Sequence, residues 1–171
     1  MITGSGYISR AVQSLHYYLR NTQYNKSGTS KTLLTAFDNL NIEPNFPDTL
    51  ERLTLPTIAI TSNSISSQEI TYNSEIKLKT LSFSIYGFCG GKPTDNDNRA
   101  LRDELCSDVM EILEDIDYIT LYDYPDFTSS TGDMSIENVS ARFIEPTGIL
   151  NAEKFRFVID LECEYAKSVG A

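Results

Sequence analysis

Residues 153 to 165, Glu-Lys-Phe-Arg-Phe-Val-Ile-Asp-Leu-Glu-Cys-Glu-Tyr, place Phe155, Phe157, Ile159, Leu161, Cys163 and Tyr165 at every second position. Their alternates, Lys154, Arg156, Val158, Asp160, Glu162 and Glu164, are almost wholly charged. That period predicts a long strand with one face in a core and the other toward water or a polar partner. Upstream, Met134 to Ile144 alternates more weakly, with Val139, Ala141 and Phe143 in phase. Glu145-Pro146-Thr147-Gly148 between the two runs holds both breakers of a chain reversal, so a long antiparallel pair is expected near the C-terminus.

Working outward, Ile8, Val12, Leu15 and Leu19, with Ala11 and Tyr18 beside them, recur at three and four residues. They predict an amphipathic helix over 6–20, with Ser5 able to cap it. His16 falls off that stripe and is expected at its rim or in solvent. Asn21 to Ser30 is polar with one Gly, and Leu33, Leu34, Phe37 and Leu40 suggest a short second helix over 31–40. Pro44, Pro47 and Pro56 make 41–56 an extended surface connector. Ile58 and Ile60 begin a short strand, and the Ser/Thr/Asn-rich stretch from Thr61 to Ser74 is expected to end it in a loop or hairpin tip.

In the next strand, Glu75 to Phe88, Ile76 and Leu78 share one phase while Leu81, Phe83 and Ile85 share the other. One buried face cannot accommodate both. The switch predicts a bulge or sharp twist near Lys79-Thr80, or a strand that passes from one packing partner to another.

The Gly-rich turn at Gly87 to Thr94 stands where a phosphate loop would, but Tyr86 occupies the required first Gly position and Pro93 the required Ser/Thr position. Asp95-Asn96-Asp97-Asn98 offers N-cap candidates for a helix over 97–116, with Leu101, Leu105, Val109, Ile112 and Ile116 as its core stripe. An EF-hand reading of the same acids fails, because the Gly and the bidentate Glu positions are Ala100 and Cys106.

On the helix's outer side, Glu104 and Asp108 stand four apart and Asp108 and Glu111 three apart, each like-charge pair costing a few tenths of a kcal/mol. Such a face serves solubility, repels DNA, or meets a basic partner. Tyr118 to Tyr122 is a brief β-prone run before a Tyr-Asp-Tyr-Pro turn, and Phe127 to Asp133 is expected to be an exposed loop.

Composition narrows the classes. A chain of 171 residues, 40% hydrophobic and 22% charged, suits one folded domain. The first five residues lack a basic segment followed by an apolar run, and no window approaches a membrane helix, so a soluble protein made in a cytoplasm is expected. The net charge of −10 is uneven: residues 1–94 carry +2, residues 95–126 carry −9 and residues 127–171 carry −3. Phosphate-backbone binding needs the opposite sign, so sequence-specific nucleic-acid binding is not expected.

Three widely spaced cysteines and one histidine give no zinc pattern. Cys163 reads as a buried thiol, and Cys89, in the Gly-rich turn, is the one to test for reactivity. No Ser or Cys has a base in a recognisable motif, and the carboxylates cluster on one helix. No catalytic residue, metal ligand or cofactor site is expected, and the chain reads as a non-enzyme.

The order of elements and several phrases are more specific. Leu55-Pro56-Thr57-Ile58-Ala59-Ile60, a long strand ending in Phe83-Ser84-Ile85-Tyr86-Gly87, an acidic helix, the turn at Tyr122 to Pro125 and two closing long strands together resemble the tail-terminator and neck proteins of long-tailed bacteriophages. The likeness spans most of residues 1–166 and rests on arrangement and apolar pattern.

It implies a single α+β domain. A mixed, mainly antiparallel sheet over 57–166 would pack against two to three helices, with the N-terminal helices in 1–40 and the acidic helix at 97–116. It also implies a virion protein, assembled in the host cytoplasm into a ring, commonly a hexamer, that ends the tail tube and joins it to the head connector. The expected partners are other copies of the chain, the tail-tube protein and the head connector or neck proteins. DNA would pass without specific binding, and no membrane is involved. An acidic lumen suits this role, with Asp160, Glu162 and Glu164 as candidates and Glu104, Asp108 and Glu111 as the competing surface. The alternatives are a tail-tube protein or other ring-forming scaffold, and more remotely a small hydrolase using Cys89 or a carboxylate pair.

Overall fold

The computed structural model describes residues 7–45, 56–69, 76–122, 130–146 and 155–168. In chain order the elements are α1 (Tyr7–Asn21), β1 (Tyr24–Lys26), β2 (Thr29–Lys31), α2 (Leu33–Ala36), β3 (Asn41–Glu43), β4 (Thr57–Glu69), β5 (Ile76–Cys89), α3 (Asp95–Glu114), β6 (Tyr118–Tyr122), β7 (Ser130–Ile144) and β8 (Phe155–Ser168). Strands β1 and β2 form a small hairpin, and the other six form one sheet in the order β3-β4-β5-β8-β7-β6. Only the β3–β4 pair is parallel. The fold is thus the expected one: a curled, mainly antiparallel sheet packed with helices in a single domain.

The alternating stretch is the inner strand β8, paired with β5 along one edge and β7 along the other. Phe155, Phe157, Ile159, Leu161 and Cys163 are all buried on its inner face, against α3. Phe157 lies directly across from Gly87 of β5, so the missing side chain there is a packing requirement.

Helix α1 buries Ala11, Leu15 and Leu19 on the predicted stripe and reaches both outermost strands of the sheet. Ser14 Oγ accepts from the Tyr122 backbone N–H of β6 at 3.0 Å. His16 Nε2 donates to the Ile42 carbonyl of β3 at 2.7 Å. The imidazole expected at the rim or in solvent is half-buried, and that burial lowers its pKa from the ordinary value, which suits a neutral ring used as a donor. By bridging β3 and β6, α1 holds the sheet in its curl.

Several expectations are corrected. The polar 21–30 stretch contains a hairpin, because Ser27 and Gly28, at φ 53° and 81°, supply the two positive φ values of a tight primed turn. The second helix is a single turn, with Leu33, Phe37 and Leu40 buried and Leu34 left exposed. The connector contains a short strand, β3. The polar run after Ile60 continues as strand to Glu69, held by its pairing with β5.

No shift occurs in β5 at Lys79-Thr80. Register shifts lie instead at Asn63 of β4, at Glu137 of β7 and in the β6–β7 pair between Leu121 and Tyr122, while Lys77 to Thr80 of β5 are half-buried at every position, so that end of the strand has no single buried face. Strand β7 starts at Ser130, inside the expected loop. Helix α3 begins earlier than expected: Thr94 is its N-cap, its Oγ1 accepting from Asp97 N, while Asn98 pins Lys92 of the preceding turn. Ser5, residues 70–74 of the expected hairpin tip, 123–129 and the Thr147-Gly148 part of the reversal lie outside the described residues.

Candidate functional site

The outer face of the sheet carries the first candidate set. Along β8, Asp160, Glu162 and Glu164 project from alternate positions, about 7 Å apart as strand geometry requires. Their cross-strand neighbours are uncharged: Ser84 and Ser140 beside Asp160, Ser82 and Asn138 beside Glu162, Thr80 and Ser135 beside Glu164. The bulges at Asn63 and Glu137 flank this column and leave a shallow trough of about 230 Å³ lined by Asn63, Ser82, Asn138, Ser140, Asp160 and Glu162.

The three carboxylates are not equivalent. Asp160 is half-buried and tied in: Asn63 Nδ2 donates to Ser84 Oγ at 2.6 Å, and Ser84 Oγ donates to Asp160 Oδ1 at 2.8 Å. Arg142 Nε lies 3.5 Å from Asp160 Oδ2. One chain of contacts therefore crosses four strands, and Asp160 braces the sheet. Glu162 and Glu164 form no ion pair among the described residues. Toward the other end this face is apolar, with Ala59, Phe88 and Val158 fully buried and the Tyr86 and Phe88 rings stacked at 6.4 Å. The alternation had marked the β8 part of this face as almost wholly charged, with Val158 as its one apolar member.

The competing set on α3 divides in two. Lys26 of the hairpin places Nζ 2.7 Å from Glu104 Oε1 and 2.5 Å from Asp108 Oδ2, while Tyr24 Oη donates to the same Asp108 oxygen at 2.5 Å. Burial works against the Lys26 charge, but the bonds to Asp108 and Glu104 outweigh it and hold the ammonium above its ordinary pKa. Burial and then the Asp108 bond push the Tyr24 phenol up. Glu104 and Asp108 are thus met by a cation of their own chain and are not an open acidic face. Only Glu111 keeps that character. With Glu114, Asp115, Met110, Ala141 and Phe143 it lines a groove of about 400 Å³ between α3 and β7.

Arg102 was not singled out from the sequence, yet the residue is 4% exposed and its guanidinium donates to Glu145 at 2.7 Å and to Asp103 at 3.0 Å, over the Phe143 ring. A basic residue flanked by core positions on a helix was the available signal. The bonds from Arg102 and Arg99 hold the Glu145 carboxyl below its usual pKa.

Cys89 stands at the last position of β5, facing the core. It is fully buried, and burial pushes its thiol up to about 12. The sequence placed this residue in the Gly-rich turn as the thiol to test; it instead ends the strand, and burial there works against forming the thiolate. Among the described residues no group of three or more His, Cys, Asp or Glu is placed to hold a metal, and no helix is long and apolar enough to cross a membrane. Comparison with protein-family models and with curated protein sequences finds no match for this chain.

Proposed function

We propose that this chain is a structural, ring-forming virion protein of the tail-terminator or neck type, ending a tail tube, joining it to the head connector and letting DNA pass through an acidic lumen. The observation that carries the reading is the outer face of β8. Glu162 and Glu164 stand in a column of uncharged Ser, Thr and Asn with no counter-ion among the described residues. A passage for DNA needs that chemistry: fixed negative charge repels phosphates, and neutral hydroxyl and amide groups offer no cation for counterion-release binding. Asp160 supports the same face by bracing β4, β5, β8 and β7. The helix set is the weaker lumen candidate, because Lys26 offsets Glu104 and Asp108.

The test pairs Glu162→Lys with Glu164→Lys in one variant and places Glu104→Lys, at an exposed position of the helix set, in another. Light scattering with electron microscopy of the largest species gives the assembly. Duplex-DNA retention on assembled rings and DNA passage through particles give the role. The β8 variant is expected to form the same ring, to retain DNA in a salt-dependent manner and to slow passage, and the helix variant to do neither. If both variants leave DNA behaviour unchanged, the lumen assignment is wrong. Open filaments in place of a single ring would make the protein a tail-tube or scaffold subunit.

A further inference from the structure

The sheet has two long edges that no described strand covers, one on each side. Strand β3 pairs only with Thr57–Ala59, so β4 is unpaired on that side from Ser62 onward, and Ser62 to Gln68 are all exposed. Strand β6 pairs only with 130–135, so β7 is unpaired from Glu137 to Ile144, where Asn138, Ser140, Ala141, Arg142 and Phe143 are exposed. The two outermost strands, by contrast, are each tied to α1, at Ile42 and at Tyr122. Free edges template pairing with another chain, and native folds normally blunt them. Here the short ones are engaged by a helix, and among the described residues no strand pairs with the long ones.

The two bare edges match each other. Of the few large apolar side chains left exposed, Ile65, 39% exposed, lies on the inner face of the β4 edge and Phe143, 52% exposed, on the inner face of the β7 edge. Phe143 borders the groove with Ala141 and Met110, a seat for an aliphatic side chain. The acidic end of that groove, Glu111, Glu114 and Asp115, meets its opposite in Lys77 and Lys79, which share the inner face beside Ile65.

Three antiparallel steps, β4–β5, β5–β8 and β8–β7, make β4 and β7 run in opposite directions. A neighbour rotated about an axis along the strands would therefore meet its partner antiparallel. Setting Ile65, in the row of Cys163, beside Ala141, in the row of Ile159, requires an offset of four residues. That is about 13 Å across four strands, within the stagger that tilted strands in a closed sheet impose.

We infer that the occupant of the β7 edge is the β4 edge of a second copy of this chain, so that one sheet continues from subunit to subunit in a head-to-tail, heterologous interface. The inference rests on the ring-forming reading and names its contact.

Ile65→Cys and Ala141→Cys, made as separate variants, test it by mild oxidation of each alone and of the two mixed. Both are made in a Cys106→Ser background, because Cys106 lines the same groove as Ala141, while Cys89 and Cys163 are buried in the core. Mixed disulfide dimers, with none from either variant alone, are the expected result, and the double variant gives a ladder of multimers. Ile65→Asp is expected to raise the concentration for half-assembly about tenfold or more, with unchanged far-UV circular dichroism. A ring by light scattering with no mixed disulfide overturns the interface and leaves the ring reading intact. Disulfide dimers of Ala141→Cys alone make the contact isologous and also overturn it. A monomer at every concentration with no disulfide removes both readings, and mixed disulfides in open filaments keep the interface and replace the terminator with a tube subunit.

Discussion

Gly87→Ala isolates the contact on which the long strand pair depends. A Cβ at this position would lie 1.9 Å from Phe157 Cε1 and 2.2 Å from Cζ. Carbon atoms rest at about 3.5–4.0 Å, so the ring must withdraw by roughly 1.5–2 Å. Phe157 is fully buried, with Phe155 and Ile159 on the same face of its strand, and little space receives it. Overpacking of this kind costs about 1–3 kcal/mol, and an off-rotamer ring adds about 0.5–1.5 kcal/mol. Against this, Ala gains at most about 1 kcal/mol over Gly in a strand through lower backbone entropy. The net is a loss of about 0.5–4.5 kcal/mol, with its middle near 2.5 kcal/mol.

With a urea slope of about 2 kcal/mol/M, a loss near the middle of that range lowers the unfolding midpoint by about 1–1.5 M at unchanged slope. Phe157→Leu supplies the control: because the smaller side chain makes room for the new methyl, the double variant should be more stable than the sum of the two singles predicts by about 1 kcal/mol or more. A Gly87→Ala midpoint equal to or above that of the unsubstituted protein would refute the reasoning, as would additivity in the double variant.

Lys26→Met should cost about 1–2 kcal/mol at neutral pH in urea unfolding, because it leaves the partly buried Asp108 without its cation. The Lys26 pKa is raised in the folded state, so its contribution is complete below the free-amine value of 10.5 and is lost as pH rises through the higher folded value. The gap between the two proteins should therefore close in the alkaline range, and a gap that widened there would contradict the pairing. The thiols of Cys89 and Cys163, pushed up to about 12, and of Cys106, to about 11, should react with alkylating reagents at pH 8 only on unfolding. Rapid labelling of any one in the folded protein would place it at the surface.

How far the sequence reaches can be seen element by element. The β8 alternation, the Leu15–Leu19 stripe of α1 and the Leu105–Val109–Ile112 stripe of α3 each became the buried face they predicted. In those segments a local period reports directly which side leaves water. Among the candidate residues, the period also put Asp160, Glu162 and Glu164 together on one face.

The remaining features depend on partners remote in the chain. The Ser-rich run of β4 is a strand through backbone pairing with β5, which no apolar period announces. Asp108 is neutralised by a lysine 82 residues away, and Asp160 becomes a brace through a serine 76 residues away. Val158, on the β8 face expected to meet water or a polar partner, is buried with Phe88 of β5 and Ala59 of β4 on the same face. Local periodicity fixes which face of an element is apolar. Which charges are met, which edges stay bare and where the sheet bends are fixed when the chain closes on itself, since each depends on a register between segments that do not adjoin.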